Sequence, residues 1–329
     1  MTSMKTVQVV RLEGPSGLDV LEAPEPQGGG AAHVVDVHAA GISYPELLLS
    51  KGLYQLKPDP PFILGSEVAG VIREPAEGSD LKAGDRVIGF AMGAMAETAV
   101  TPPPMTFKLP DQLDFGQGCA LFMNYHTSHF ALDRRAGLKE GESLLVQGAA
   151  GGVGTAAIQV GKALGARVMA VVSTDQKEQV VRDAGADEVA RSDEDWKTAA
   201  KEFGGGGIDV VYDPVGGERL SESIRVLASE GRAVVIGFVE GSIPSIAVNR
   251  LLLRNVSLVG AGWGHFAFER PEYLAEVAAD LNRMVEAGHV KPVIGGSYSM
   301  EEVPQALRDL DERRAIGKLV LQVRPDQEA

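Results

Sequence analysis

The amino-acid sequence predicts an α/β protein of two domains, one a doubly wound parallel sheet and the other rich in short, irregular strands. Three observations predict it. At 329 residues the chain is longer than one hydrophobic core normally grows to. From Glu142 onward strand and helix alternate strictly, whereas the first ~115 residues are short period-two stretches divided by Gly and Pro.

The N-terminal segment from Met1 to Arg11 holds one Lys and a short alternation, with no apolar core of the kind a secretory leader carries. Strands are expected at Val34–Val37, Val68–Ile72, Arg86–Phe90 and Glu97–Val100, giving an irregular barrel-like domain. A helical segment near Asp114 leads into the second domain. Its strands are expected at Ser143–Gln147, Ala166–Val172, Asp187–Ala190, Ile208–Asp213, Arg232–Ile236 and Val256–Gly260. Leu144–Val146 and Val168–Val172 are unbroken apolar runs, as required where a parallel sheet is covered on both faces. Six strands in βα alternation give the doubly wound nucleotide fold. After Trp263 the alternation stops. A helix at Tyr273–Ala287, a strand near Val293, a helix at Val303–Leu310 and a strand at Lys318–Val323 are assigned back to the first domain. The expected division is therefore 1–120 with 265–329, against 121–264. Arg324 to Ala329 is polar and expected to fray.

Composition narrows the function. The 44% apolar and 23% charged residues are those of an ordinary globular protein, and 31 basic against 45 acidic residues give a net charge of −14. A surface this acidic disfavours nucleic acid and anionic membranes, which need a basic face. No apolar run approaches the ~18–20 residues of a spanning helix, and a cytoplasmic location is expected. Cys119 is the single cysteine, so neither an intrachain disulfide nor a cysteine metal cluster is possible. Its small and apolar neighbours point to packing.

The run GAAGGVG, Gly148 to Gly154, follows an apolar strand and opens a helix whose apolar positions Val153, Ala157, Val160 and Leu164 share one face. At a strand-to-helix turn inside a βαβ unit this pattern fits a dinucleotide pyrophosphate. Absent side chains let the backbone approach, and unpaired N–H groups at the helix start receive the charge. The next strand ends in Ser173-Thr174, then Asp175-Gln176-Lys177. An NAD site usually has an acid at the strand end, for the ribose hydroxyls. Two hydroxyls and a following lysine suit a 2′-phosphate instead, with Arg191 adding charge from the side. NADPH is therefore expected over NADH. Asp175 can alternatively cap the helix, and Ser173 and Thr174 can be mere caps with Lys177 solvated.

Taken in order, AAGISYPELLLSKGLY (Ala39 to Tyr54), PFILGSEVAGVI (Pro61 to Ile72), GDRVIGF (Gly84 to Phe90), the glycine-loop run to Val168, DVVYDPVGG (Asp209 to Gly217) and GRAVVIGF (Gly231 to Phe238) carry a resemblance. The chain resembles the zinc-free quinone oxidoreductase branch of the medium-chain dehydrogenase/reductase (MDR) superfamily over nearly its whole length. The stretch NRLLLRNVSLVGAGWG (Asn249 to Gly264) looks like a bacterial and mitochondrial quinone-oxidoreductase-like subgroup. The resemblance implies a GroES-like substrate domain, a Rossmann domain and an active site between them. It also implies a homodimer joined edge to edge through Val256–Gly262. It further implies that Thr127, Gly151, Gly152, Val153, Gly154, Ser173, Thr174, Lys177, Tyr212, Ile236 to Val239 (including Gly237 and Phe238), Gly262, Trp263, Gly264 and Lys318 line the cofactor.

Zinc-dependent relatives have a Cys near Ser43 and a His where Ser66 stands, before the retained Glu67. Hydroxyls are poor zinc ligands and no metal is expected. His126 and His129, three apart, lack a third ligand and are read as packing residues. Without a Lewis acid the substrate must be activated by its own conjugation, as a quinone or enone is. The protein then needs only to stack it on the nicotinamide and offer a hydrogen bond to the oxygen that gains charge. Tyr54 is the first candidate donor, with Ser43 and Tyr44 second; a packed Tyr54 with its hydroxyl in water is the alternative. Asn124 and Trp263 are candidate pocket residues. Reduction of an enoyl thioester, or a non-catalytic NADPH-binding sensor or structural protein, are the competing readings.

Overall fold

The computed structural model describes residues 2–325, so the terminal residues 326–329 of the expected frayed tail lie outside it. The chain divides into two units. Unit 1 comprises Met1–Met123, Pro271–Ala278 and Pro292–Ala329, and unit 2 comprises Asn124–Arg270 and Ala279–Lys291. The first cut falls near the expected position. The second differs, because the stretch through 265–270 and the segment Ala279–Lys291 belong to unit 2 and not to the first domain. In unit 2, Gln159 donates to the Lys291 carbonyl at 2.9 Å and accepts from its N–H at 2.9 Å. A tertiary contact of that kind has no local sequence signal.

Unit 1 opens with strands β1 (Ser3–Val9), β2 (Leu18–Pro24), β3 (His33–Ile42), β4 (Phe62–Ile63), β5 (Glu67–Glu74), β6 (Arg86–Phe90), β7 (Thr98–Thr101) and β8 (Thr106–Lys108). Helix α1 (Tyr44–Ser50) follows β3, and α2 (Phe115–Ala120) follows β8. Strands β2, β1 and β4 form a small antiparallel sheet. The larger sheet is built on β3, which pairs antiparallel with β5 and with β7. The expected strands are all present: β6 has the expected bounds, β3 and β5 run longer, and β7 is shifted by one residue. Those missed (β2, β4 and β8) are short or carry charged residues that mask the alternation.

Unit 2 begins with α3 (His126–His129) and alternates β9 (Ser143–Val146), α4 (Gly152–Ala163), β10 (Arg167–Val172), α5 (Asp175–Asp183), β11 (Glu188–Arg191), α6 (Trp196–Phe203), β12 (Ile208–Asp213), α7 (Gly217–Ser223), β13 (Leu227–Val235), α8 (Asn249–Arg254), β14 (Ser257–Gly260) and α9 (Trp263–Glu269). All six strands are parallel, in the order β11-β10-β9-β12-β13-β14. This is the doubly wound sheet expected. Leu144, Leu145 and Val146 are wholly buried, each worth about 1.5–3 kcal/mol relative to exposure. β13 starts at Leu227 instead of Arg232. Its register against β12 shifts between Ile208 and Val210, and Glu230 has φ +63°. The bulge explains why SEGR reads as a turn.

Helix α10 (Pro271–Glu286) leads to β15 (Ile294–Tyr298), α11 (Val303–Asp311) and β16 (Lys318–Gln322). β16 lies antiparallel to β3 in the larger sheet of unit 1, which returns the C-terminal segment to the first domain as expected. No described helix is long and apolar enough to cross a membrane.

Candidate active site

In unit 2 the polar machinery lies along one edge, since parallel strands end together and the loops that follow them share that edge. Gly151 is the extended N-cap of α4 (φ −78°, ψ 174°). A Cβ there would meet only the Gly148 carbonyl oxygen, at 3.5 Å, so the first amides of α4 face open space. Gly154 differs. A Cβ on it would lie 2.5 Å from the carbonyl oxygens of Gly148 and Ala149, so this glycine lets the helix start pack onto its own turn. At Gly152 the neighbour is the amide of Asn124, 2.4 Å from a Cβ position, which puts Asn124 beside the loop. Val153 and Thr127 are half-buried.

At the end of β10, Ser173 and Thr174 are exposed. The Lys177 Nζ donates to Ser173 Oγ at 3.4 Å, and Arg191, closing β11, donates from Nη2 to the Ser173 carbonyl at 2.9 Å. A hydroxyl and two cations thus lie together at the end of β10. Thr174 Oγ1 caps α5, accepting from the Lys177 N–H at 3.3 Å. The cap is therefore Thr174 and not Asp175, which is the first helical residue and pairs with Arg191. Farther along the edge, Asp213 Oδ1 accepts from the N–H groups of Val215 and Gly216, both at 2.8 Å. Burial pushes its pKa up to about 6. Gly237, Phe238 and Val239 are half-buried and Gly262 is exposed.

Three of the expected cofactor residues are buried. Tyr212 is fully buried, its hydroxyl 3.1 Å from Ser128 Oγ; a strand residue pointing into a covered sheet face has no surface to offer a ligand. Trp263 is 7% exposed, its ring 6.0 Å from that of His126, so it packs more than it lines. Lys318 belongs to unit 1 and is itself only 2% exposed. His126 and His129 are both buried. His129 Nε2 lies 3.4 Å from Asp280, and burial lowers its pKa.

In unit 1 a buried polar cluster forms around Glu67. Lys318 on β16 donates to both Glu67 Oε1 and Ser43 Oγ. Ser43 Oγ donates to the same carboxylate oxygen at 3.0 Å, and Oε2 accepts from the Met123 N–H at 3.3 Å. Gly41 makes room, for a Cβ on it would fall 2.1 Å from Glu67 Oε1. Beside this pair, Glu46 in the first turn of α1 accepts from the Ser43 N–H at 3.0 Å and from Ser66 Oγ at 2.6 Å. Both glutamates are wholly buried. Tyr54 and Tyr44 are half-buried against the apolar core of the unit. Burial, then the charge of Glu46, raises the Tyr54 pKa. Ser43, a candidate carbonyl donor, has its hydrogen committed to Glu67. Glu67 was legible as a retained family residue; its partner Lys318, 251 positions away, was not.

These groups do not fit a zinc ion. The donors at Ser43 and Ser66 are hydroxyls, which are poor zinc ligands, and the ammonium of Lys318 is bonded to Ser43 and Glu67, where it would repel a dication. Among the described residues no three His, Cys, Asp or Glu side chains are placed to hold a metal.

Residues 30–111 match the family of alcohol dehydrogenase GroES-like domains, and residues 152–281 match the zinc-binding dehydrogenase family. The chain is 36% identical over 295 residues to the quinone oxidoreductase-like protein 2 of Bos taurus, covering 88% of this chain and 84% of that one. It is 34% identical over 327 residues to the quinone oxidoreductase of Homo sapiens, covering 97% of each. Among solved structures, a probable oxidoreductase from Mycobacterium abscessus superposes with a TM-score of 0.90 at 44% identity, covering 98% of this chain and 99% of that one. A mycobacterial protein complexed with NADPH gives 0.90 at 31% identity, covering 97% and 99%. With a GroES-like domain, a Rossmann sheet and relatives of this closeness along nearly its full length, the chain belongs to the quinone-oxidoreductase-like branch of the MDR superfamily.

Proposed function

We propose that the chain is an NADPH-dependent reductase that transfers hydride, without a metal, to a quinone or an α,β-unsaturated carbonyl compound. The observation that carries this reading is the pairing of an open helix start at Gly151 with Ser173, Lys177 and Arg191 at the end of the neighbouring strands. The first suits a pyrophosphate and the second a 2′-phosphate. The NADPH complex of the mycobacterial relative supports the same choice. Bound NADPH supplies the hydride; the chain supplies orientation and charge stabilisation. Lys177→Ala should raise the KM for NADPH about 10- to 100-fold, the equivalent of one charge-assisted hydrogen bond, and leave that for NADH nearly unchanged. Equal effects on the two cofactors would remove Lys177 from the phosphate site.

The names of the relatives support a quinone as acceptor. The hydroxyls at Ser43 and Ser66, with Lys318 among them, support a mechanism independent of zinc. In such a mechanism Tyr54 is the hydrogen-bond donor to the carbonyl oxygen. Its raised pKa keeps the phenol protonated, which favours a donor role over proton release. Tyr54→Phe should lower turnover about 100-fold while leaving the KM for NADPH as it was, measured with the best acceptor; unchanged turnover would assign Tyr54 to packing. Lys318 serves as the counter-ion of Glu67. A homodimer joined along β14 is part of the proposal, supported by the free edge of that strand and by the exposed Val248, Leu252 and Leu253 near it in sequence.

The decisive experiment incubates the protein with NADPH and a panel of quinones, short enones and crotonyl-CoA, following NADPH absorbance. Oxidation with quinones or enones is expected. Consumption with the thioester alone would move the activity to enoyl-thioester reduction, and tight NADPH binding without any turnover would make the chain a non-catalytic binder.

A further inference from the structure

Beside the hydroxyls and cations at the end of β10 stands an acid with no capping duty. Asp175 opens α5, where a carboxylate favours the helix dipole, but the cap itself is made by Thr174 Oγ1. The Asp175 side chain reaches across to the end of β11 and pairs with Arg191. Which nitrogen it takes matters. Arg191 Nη2 donates to the Ser173 carbonyl at 2.9 Å, and Nε is buried with Asp193 Oδ1 3.6 Å away. Nη1 is left as the donor for a group bound at Ser173 and Lys177, and Nη1 is the atom that Asp175 holds.

The named charges at this spot cancel. Lys177 and Arg191 bring two positive charges, and Asp175 and Asp193 bring two negative ones. A 2′-phosphate carries about −1.5 to −2 at neutral pH. It therefore meets cations that are already partly neutralised, and it must take Nη1 from a group of its own sign. A ribose with a free 2′-hydroxyl meets the opposite situation. It brings no charge to repel, and a carboxylate near this strand end can accept the hydroxyl hydrogen. The Asp175 side chain is 95% exposed and that of Arg191 only 23%, so the guanidinium stays in place while the carboxylate is free to move.

We propose, on the cofactor reading given above, that Asp175 sets the cofactor selectivity of this chain by competing with the 2′-phosphate for Arg191. In the free protein Asp175 holds Nη1. When NADPH binds, the phosphate takes that N–H and the carboxylate turns to water. When NADH binds, the carboxylate stays and accepts from the 2′-hydroxyl. The preference for NADPH is tempered as a result, and NADH binds at the same place. Every group in this competition belongs to unit 2.

Calorimetry of the full chain with NADPH and with NADH, without any acceptor, tests this in Asp175→Asn, which keeps the side-chain size and loses the charge. The Kd for NADPH should fall about 2- to 5-fold, the range of one exposed ion pair. The Kd for NADH should rise by a similar factor. Opposite signs identify competition, because a helix weakened by losing its first-turn acid would bind both dinucleotides less well. Asp175→Glu keeps the charge and should keep the wild-type ratio of the two constants. Both constants moving the same way in Asp175→Asn, or either one unmoved, would overturn the competition and leave the NADPH site standing. So would a wild type that bound NADPH and no NADH. A wild type that did not bind NADPH would instead sink the cofactor reading itself, and the selectivity with it.

Discussion

Replacing Lys318 by Met should destabilise unit 1 by about 3–5 kcal/mol, the usual cost of stranding one member of a buried ion pair. Lys318 is 2% exposed and Glu67 wholly buried, so the carboxylate left behind has neither water nor a cation. The remaining bonds, from Ser43 Oγ and the Met123 N–H, are neutral and do not replace the lost charge. Urea unfolding of the variant beside the wild type reads this. Adding Glu67→Gln to Lys318→Met should restore most of the loss, since it removes the stranded charge. A single variant as stable as wild type would show that the pair does not support the fold.

The second large effect separates two glycines that look alike in the sequence. Gly154→Ala should both destabilise unit 2, by about 1–3 kcal/mol of overpacking, and weaken NADPH binding at least 10-fold. Its Cβ would fall 2.5 Å from two carbonyl oxygens of the preceding turn, and backbone at that distance must move. The amides at the start of α4 would move with it. Gly151→Ala should behave differently. Its backbone has φ −78° and its Cβ position meets only ordinary contact, so folding should be unaffected. Binding should still weaken, because the space a methyl group would fill is the space proposed for the diphosphate. Calorimetry with NADPH beside denaturant unfolding distinguishes them. If Gly151→Ala bound NADPH with wild-type affinity, the pyrophosphate would have to be placed elsewhere.

Much of this protein was legible in the chain. The unbroken apolar runs at Leu144–Val146 and Val168–Val172, the glycine loop between them and the hydroxyl pair after β10 are local patterns, and local patterns survive in sequence because period and burial fix them. Strand β13 was half-legible: its second part was found, but Glu230 and Gly231 form a bulge, and a bulge looks like a turn to any reading along the chain. The hydrogen bond from Ser43 to Glu67 and the burial of Tyr212 both come from elements distant in sequence, so neither was legible along the chain.

By itself, then, the sequence determined the two-domain α/β architecture, the dinucleotide turn and the family, all of which are carried by residues within one or two elements of each other. Tertiary structure alone decided that Lys318 meets Glu67 across 251 positions, that Glu46 is buried in the same cluster, and that Ala279–Lys291 joins unit 2. The physical reason is that the charge state of a buried group is set by which partners share its low-dielectric surroundings, and those partners come together only when β3, β5 and β16 pair in one sheet.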